Sequence, residues 1–299
     1  MDNGRYLLNR IIRFFLIVSF AFLGTLVYML EDSTKPEILM GVYNTSYDSV
    51  SFDHEIPYLF SDSVVPVSID SAGNRSWGIK RNKEALPDPD PGSVELLEKH
   101  NGVWTGDTSK KIIYITFDQG YENGYTDRIL DTLKEKNVKT VFFVTGPYLE
   151  KNDRLIRRFV DEGHYVGNHT VRHKSMPLLS RAEAEKELLE LEKAFEEKYN
   201  AQMLFFRPPM GEYNEETLKI AKELRYTTMF WSFAYDDWLK DKVRGPEYVV
   251  NLVSQNAHNG MIILFHAVSP DNAKALGSVI DTLRGMGYEF GDPIELYKP

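Results

Sequence analysis

Two histidines four residues apart, in His169-Thr170-Val171-Arg172-His173, can aim both imidazoles at one cation from a helical turn or a tight loop. Asp118, Arg207, Asp236 with Asp237, and His266 each sit at the end of a short apolar run, as His169 does. A cation with open positions, a carboxylate and a separate histidine are the parts needed to hydrolyse an amide or an ester. The cation polarises the carbonyl and binds the attacking water, the carboxylate takes the water's proton, and the histidine gives one to the leaving group. Arg207 beside Asp118 would keep that carboxylate ionised. Each residue alone has a plainer explanation, as a surface histidine or a helix-capping aspartate. No serine stands in a G-x-S-x-G turn and the chain has no cysteine, so neither a serine elbow nor a thiolate nucleophile is available. Without thiolates a closed structural metal site is excluded too, so any bound metal would keep positions open for water and substrate.

The elements that must position these residues follow a strand–helix rhythm from residue 110 onward. Apolar, β-branched runs at 112–117, 140–145, 164–168, 204–207, 226–232 and 261–265 predict strands, and 288–290 a seventh. Helices are predicted between them: Ile129, Leu130 and Leu133 share one face, and Leu155, Ile156, Phe159 and Val160 repeat at three and four after an Asn152 or Asp153 cap. Ser180 with Glu183 forms a capping box before a helix through Tyr199, and further helices are expected near 215–225, 246–257 and 272–286. Strands joined by helices imply right-handed crossovers and a parallel sheet, here closing into an α/β barrel. An open doubly wound sheet is the rival, but no G-x-G-x-x-G follows any strand. In a parallel barrel the C-terminal strand ends share one face, so Asp118, His169, Arg207, Asp236 with Asp237, and His266 are expected to converge there. His164, opening a strand, is expected to be a hydrogen-bonded core histidine. Leu86 to Gly92, with three alternating prolines, is expected to be extended.

The chain has 299 residues, 42% of them hydrophobic and 13% aromatic, which is a folded globular composition. Mean hydropathy of −0.36 excludes a protein with many membrane spans. Residues 14–30 are nonetheless uncharged and apolar, close to the roughly 20 residues that cross a bilayer. Three arginines lie before that run and Glu31 and Asp32 after it, so residues 1–13 are expected in the cytoplasm, 14–30 as an uncleaved membrane anchor, 31–75 as an extracytoplasmic linker and 76–299 as the folded domain outside the membrane. Beyond residue 13 there are 32 Lys and Arg against 43 Asp and Glu, a formal charge of −11, with no basic stripe for nucleic acid.

The segments Thr116-Phe117-Asp118-Gln119-Gly120, GNHTVRH around His169 and His173, Arg207-Pro208-Pro209-Met210-Gly211, Asp237-Trp238 and Ile263-Leu264-Phe265-His266 resemble the ordered motifs of the polysaccharide deacetylases, the NodB-homology domain of carbohydrate esterase family 4. TFDQGYENGYT, RPPMGEYN, FWSFAYDDW and HAVSPDNAKAL are similar to the branch that deacetylates muramic acid in peptidoglycan on the way to the δ-lactam of spore cortex. The resemblance runs from about residue 76 to 298. It implies a distorted (β/α)7-8 barrel of the NodB type and a metal-dependent N-deacetylase. Asp118 would be the general base, His266 the general acid, Arg207 the residue that holds Asp118, and Asp237 a further catalytic residue. His169 and His173 would hold the metal. Trp238 and Tyr213 would line a glycan groove, and the backbone after Asp118 or near Tyr148 would help bind the oxyanion; Trp231 is expected in the core. The metal would be zinc, with cobalt, nickel, manganese and magnesium as the other candidates. Peptidoglycan glycan strands would be the substrate, reached after an amidase has removed stem peptides.

Two positions depart from the family pattern. Gln119 stands where the family has a second, metal-ligating Asp, so it is expected to be a weak or absent ligand; the muramic-acid branch usually carries Asn there. Ala234 stands where the family often has an Asp that tunes the catalytic histidine, and Asp236 is the expected substitute. The alternatives are a deacetylase of N-acetylglucosamine in peptidoglycan or another acetylated glycan, and a catalytically silent glycan-binding module.

Overall fold

The computed structural model describes residues 73–82, 86–239 and 241–299. The expected cytoplasmic tail, membrane anchor and nearly all of the linker lie outside them. Among the described residues no helix is long and apolar enough to cross a membrane.

The strands are β1 (Arg75–Ser76), β2 (Ile79–Lys80), β3 (Asp88–Pro89), β4 (Ile112–Gln119), β5 (Thr140–Val144), β6 (Tyr165–Asn168), β7 (Phe205–Phe206), β8 (Glu212–Tyr213), β9 (Thr227–Thr228), β10 (Met261–His266) and β11 (Glu289–Phe290). The main sheet runs β10-β4-β5-β6-β7-β9, all parallel, and β11 pairs with the start of β4. Alternation along β4 sorts its side chains. Ile113, Ile115 and Phe117 join the core cluster beneath the helices, whereas Tyr114 joins the cluster lined by Val141, Phe143, Phe205 and Met229 inside the curl. Asp118 belongs to the inner series and Gln119 to the outer one.

The sheet curls without completing the regular seven- or eight-unit barrel expected from the sequence. Of the strand expected at 226–232 only Thr227 and Thr228 form a ladder. Beyond them the seam to β10 is stitched by isolated bridges: Phe233 with Ile263, Val103 with Met229, and Thr105 with Met261. Ser232 N–H donates to Ile262 O (3.0 Å) and Leu264 N–H to Phe233 O (2.9 Å) across it. Short strands and single bridges let the 229–237 segment depart from sheet geometry while staying anchored, which frees its end to bend over the strand termini.

The helices fall close to expectation: Thr126–Glu135, Asp153–Asp161, Arg181–Tyr199 behind the Ser180/Glu183 capping box, Glu215–Glu223, Pro246–Gln255 and Pro270–Gly285. Two others, Ser93–Lys99 and Gly146–Lys151, were not expected. The second begins at Gly-Pro, which reads as a breaker in a sequence, yet proline is favoured in a helix's first turn because its missing N–H has no partner there anyway. His164 is buried as expected, but neither ring nitrogen has a hydrogen-bond partner; burial, with Lys139 and Arg158 nearby, pushes it down to about 4, so it packs as a neutral ring edge-on to Phe142.

The N-terminal part of the described domain is latched on through Trp77. β1 pairs with β8, and the proline run is extended as expected, with β3 pairing β2. Trp77 is fully buried, stacks on Phe230 at 4.6 Å, and its Nε1–H donates to Trp231 O (2.9 Å). Trp77→Ala removes that payload and leaves a carbonyl unpaired, so it should cost about 3–5 kcal/mol in a denaturant titration, with no direct effect on the strand-end residues.

Candidate active site

The parallel register decides the first pairing. His266 is the partner of Asp118 on the adjacent strands β10 and β4, so both rise from the same end of the sheet. Asp118 is almost wholly buried, and its Oδ1 accepts from Arg207 Nη1 at 2.7 Å. Arg207, just past β7, is completely buried. Its Nε donates to Met229 O (2.9 Å) and its Nη2 to Phe230 O (3.4 Å), and the guanidinium lies 4.1 Å over the Phe143 ring. Burial alone would raise the Asp118 carboxyl, but the charge and hydrogen bond of Arg207, with the raised His266 imidazole, hold it below the usual range.

Arg207 also sets the first histidine. Its backbone carbonyl can only accept, so the 2.8 Å contact with His169 Nδ1 requires the proton on Nδ1. The lone pair is therefore on Nε2, which lies 3.6 Å from Asp118 Oδ2. His173 packs edge-on against His169, ring centroids 4.8 Å apart. Burial lowers His169; burial and its imidazole neighbour push His173 down to about 3, so both rings are neutral, the form that binds metal.

The loop carrying both rings is held under backbone strain. Thr170 (φ 65°) and His173 (φ 53°) adopt the left-handed conformation that non-glycine residues avoid. Asn168 Oδ1 accepts from Thr170 N–H (3.0 Å) and Thr170 Oγ1 from His173 N–H (3.0 Å), which offsets the cost. Asn168 Nδ2 in turn donates to Leu188 O and Tyr226 Oη, and the buried Glu187 carboxylate accepts from the Arg172 backbone and from its side chain. On the other side, Gly146 permits close approach: a Cβ there would stand 2.8 Å from Val171 O.

The second dyad is His266 with Asp237. Asp237 Oδ1 accepts from His266 Nδ1 (2.7 Å) and Oδ2 from the His266 backbone N–H (2.7 Å). Burial lowers His266, but the charge and hydrogen bond of Asp237 override it and leave the imidazole raised. Trp238, half-buried, stands T-shaped to His266 with centroids 5.6 Å apart. The expected role of Asp236 is overturned. Its carboxylate is clamped at the surface by Arg244 (2.6 Å through each nitrogen) and Lys242 (3.1 Å), and the residue that reaches His266 is its neighbour.

The polysaccharide deacetylase family profile matches residues 105–229. The peptidoglycan-N-acetylmuramic acid deacetylase PdaA of Bacillus subtilis is 42% identical over 221 residues, which covers 72% of this chain and 82% of that protein. A peptidoglycan-N-acetylglucosamine deacetylase of Bacillus cereus is 36% identical over 201 residues, covering 66% of this chain and 92% of that one. The solved structure of B. subtilis PdaA, a family 4 carbohydrate esterase, superposes with a TM-score of 0.73 at 38% identity, over 78% of this chain and 98% of its own. The chain belongs to the polysaccharide deacetylase family. It has the NodB-type fold and is a hydrolase of N-acetyl amide bonds.

Deacetylases of this family are generally metal-dependent. In this polysaccharide deacetylase the donors that fit a divalent cation are the two neutral imidazoles, His169 with its tautomer already set by Arg207. Among the described residues no group of three or more His, Asp or Glu side chains has the spacing of a metal cage. Gln119 is fully buried with neither amide atom hydrogen-bonded, and strand alternation puts it with the helix-facing Ile115 and Phe117 rather than with Asp118.

One further expectation needs correction. Tyr213 does not line a groove: it is fully buried and packs against Trp77 and Phe230. The Tyr148 side chain is also core, stacked toward Phe159 with its hydroxyl on Glu122 Oε2 (3.0 Å), so only its main chain is left to face a substrate. At Tyr213 aromatic type suggested stacking, whereas burial was settled by the β1–β8 pairing. Trp231 is core, as expected. The supports Asn168, Glu187 and Asn272 were not anticipated. A polar residue inside an apolar run or a first helical turn was the signal available.

A proton NMR titration of the histidine rings tests the second dyad. His266 should titrate above 6.5, the ordinary value, and fall below it in Asp237→Asn, where burial acts unopposed; Asp236→Ala should leave it in place.

Proposed function

We propose that this protein is a metal-dependent deacetylase of peptidoglycan that removes the N-acetyl group of muramic acid. The observation that carries the reading is the register pair Asp118–His266 (one tied to Arg207, the other to Asp237), which sets an ionised carboxylate and a raised imidazole on adjacent strand ends. The choice of sugar is supported by the higher identity to the muramic acid deacetylase (42%) than to the glucosamine deacetylase (36%) and by the TFDQGYENGYT and HAVSPDNAKAL segments. The same enzyme acting on N-acetylglucosamine is the second reading, favoured by the relative of that name.

A divalent cation held by His169 and His173, zinc first among the candidates, would supply Lewis acidity and a more acidic water at the site. Asp118 Oδ2 takes the proton of the attacking water as its oxygen bonds to the acetyl carbon, Oδ1 being held by Arg207. The oxyanion that forms is met by the main-chain N–H of Tyr148, in the first turn of the helix at 146–151. His266 then gives its Nε2 proton to the sugar nitrogen as the C–N bond breaks, releasing acetate and a free amine; Asp237 accepts from Nδ1 throughout and stabilises the charged ring. Trp238 beside His266 offers an apolar face to a pyranose ring. The uncharged run at 14–30 supports tethering of the domain outside the membrane, where peptidoglycan lies, and an amidase that strips stem peptides would precede it.

Mass spectrometry of peptide-free glycan strands treated with the full chain should show the loss of one acetyl per muramic acid, abolished by chelator and restored by zinc. Loss from glucosamine instead would select the second reading. Asp118→Asn should lower kcat by at least about 10²-fold, since general-base catalysis is worth that much.

A further inference from the structure

Asp237 accepts a third hydrogen bond that the proposed mechanism does not use. Asn272, in the first turn of the helix Pro270–Gly285, is 1% exposed, and its Nδ2 donates to Asp237 Oδ2 (2.5 Å) and to the His266 carbonyl (3.2 Å). Its Oδ1 accepts from the Tyr235 hydroxyl (2.5 Å). Asparagine in a helical first turn ordinarily serves the helix, but here the cap is Ser269, whose hydroxyl accepts from Asn272 N–H (3.3 Å). The amide side chain is thereby left for Asp237 and His266. Its orientation is determined, because turning it over would point Oδ1 at the Asp237 carboxylate. Burial and the nearby Asp237 charge raise the Tyr235 phenol, which keeps its proton and stays a donor. A line of hydrogen bonds therefore runs Tyr235, Asn272, Asp237, His266, from the elements that flank β10 onto its last residue.

We propose that Asn272 is a positioning residue for the proton-donating histidine, locking the Asp237 carboxylate so that both of its oxygens hold His266. This rests on the reading of His266 as the general acid. Asp237 Oδ2 is shared between the His266 backbone N–H and the Asn272 amide, while Oδ1 holds the ring. Without the amide, the carboxylate can rotate about its Cβ–Cγ bond and the ring follows it. The amine of the sugar can leave only as its nitrogen is protonated, so misplacing the acid slows that step. An activated ester such as 4-nitrophenyl acetate releases a phenolate that needs no proton and escapes the penalty.

Asn272→Ala should therefore lower kcat on acetylated glycan by about 10- to 100-fold with KM unchanged, while 4-nitrophenyl acetate hydrolysis stays near wild type. Tyr235→Phe, which removes one hydroxyl from an otherwise intact core, should show the same selective loss to a smaller degree. In proton NMR the downfield His266 Nδ1–H resonance should move in both variants. Equal proportional loss on amide and ester, or no loss, or an unmoved resonance, overturns the proposal. His266→Asn in the same assays separates the two levels: if it too loses amide and ester equally, the general-acid reading fails, whereas selective loss there without selective loss in Asn272→Ala defeats the positioning role alone.

Discussion

A guanidinium buried without any exposure is costly unless its charge and its donors are all met, and Arg207 meets them by drawing together parts of the sheet that are far apart in sequence. Its side chain reaches Asp118 on β4 and the carbonyls of Met229 and Phe230, while its own carbonyl reaches His169 beyond β6. One residue thereby ionises the carboxylate and sets the tautomer of the first imidazole. The consequences run in one direction. Asp118 stays charged because Arg207 is buried beside it, and His169 presents Nε2 toward Asp118 because its other nitrogen is occupied. Lysine could carry the charge but not the planar fork that divides itself among a carboxylate and two carbonyls.

The second dyad is organised on a different principle. Asp237 lies on the segment that leaves sheet geometry after β9, and its position is governed by the isolated bridge Phe233–Ile263 rather than by a ladder. This irregular seam explains why the sheet curls without closing regularly: the stretch that would have formed a full strand instead bends over β10 and delivers a carboxylate to His266 twice, at the ring and at the backbone. Adjacent residues then have opposite fates. Asp236 turns to Arg244 and Lys242 at the surface, and Asp237 turns inward to Asn272 and His266. With Ala234 leaving the usual family position empty of charge, the carboxylate for the histidine comes from three residues further along the same segment.

Much of the fold and of the site was legible along the chain. Short β-branched runs, the Ser180/Glu183 box and the apolar faces at 129–133 and 155–160 place the strands and helices, because burial on a sheet or helix face demands those periods. Asp118, His169, Arg207, the Asp236-Asp237 pair and His266 could be read as site candidates because strand ends in a parallel sheet share a face, and His173 from its spacing to His169. Illegible were the choice between Asp236 and Asp237, the burial of Tyr213 and Tyr148, and the support given by Asn168, Glu187 and Asn272. Each depends on which long-range partner arrives: β1 on β8 to cover Tyr213, Glu122 and Phe159 to enclose Tyr148, and the helix at 270–285 to bring Asn272 onto Asp237.

What residue order by itself determined is the inventory and its side of the sheet, since alternation is a local property that sends Asp118 inward and Gln119 outward whatever else happens. What only the tertiary structure decided is protonation and aim. Whether an imidazole is neutral with its lone pair toward Asp118, as at His169, or raised against a carboxylate, as at His266, depends on burial and on a partner tens of residues away. Electrostatic energies grow strong enough to choose between those states only after water has been excluded.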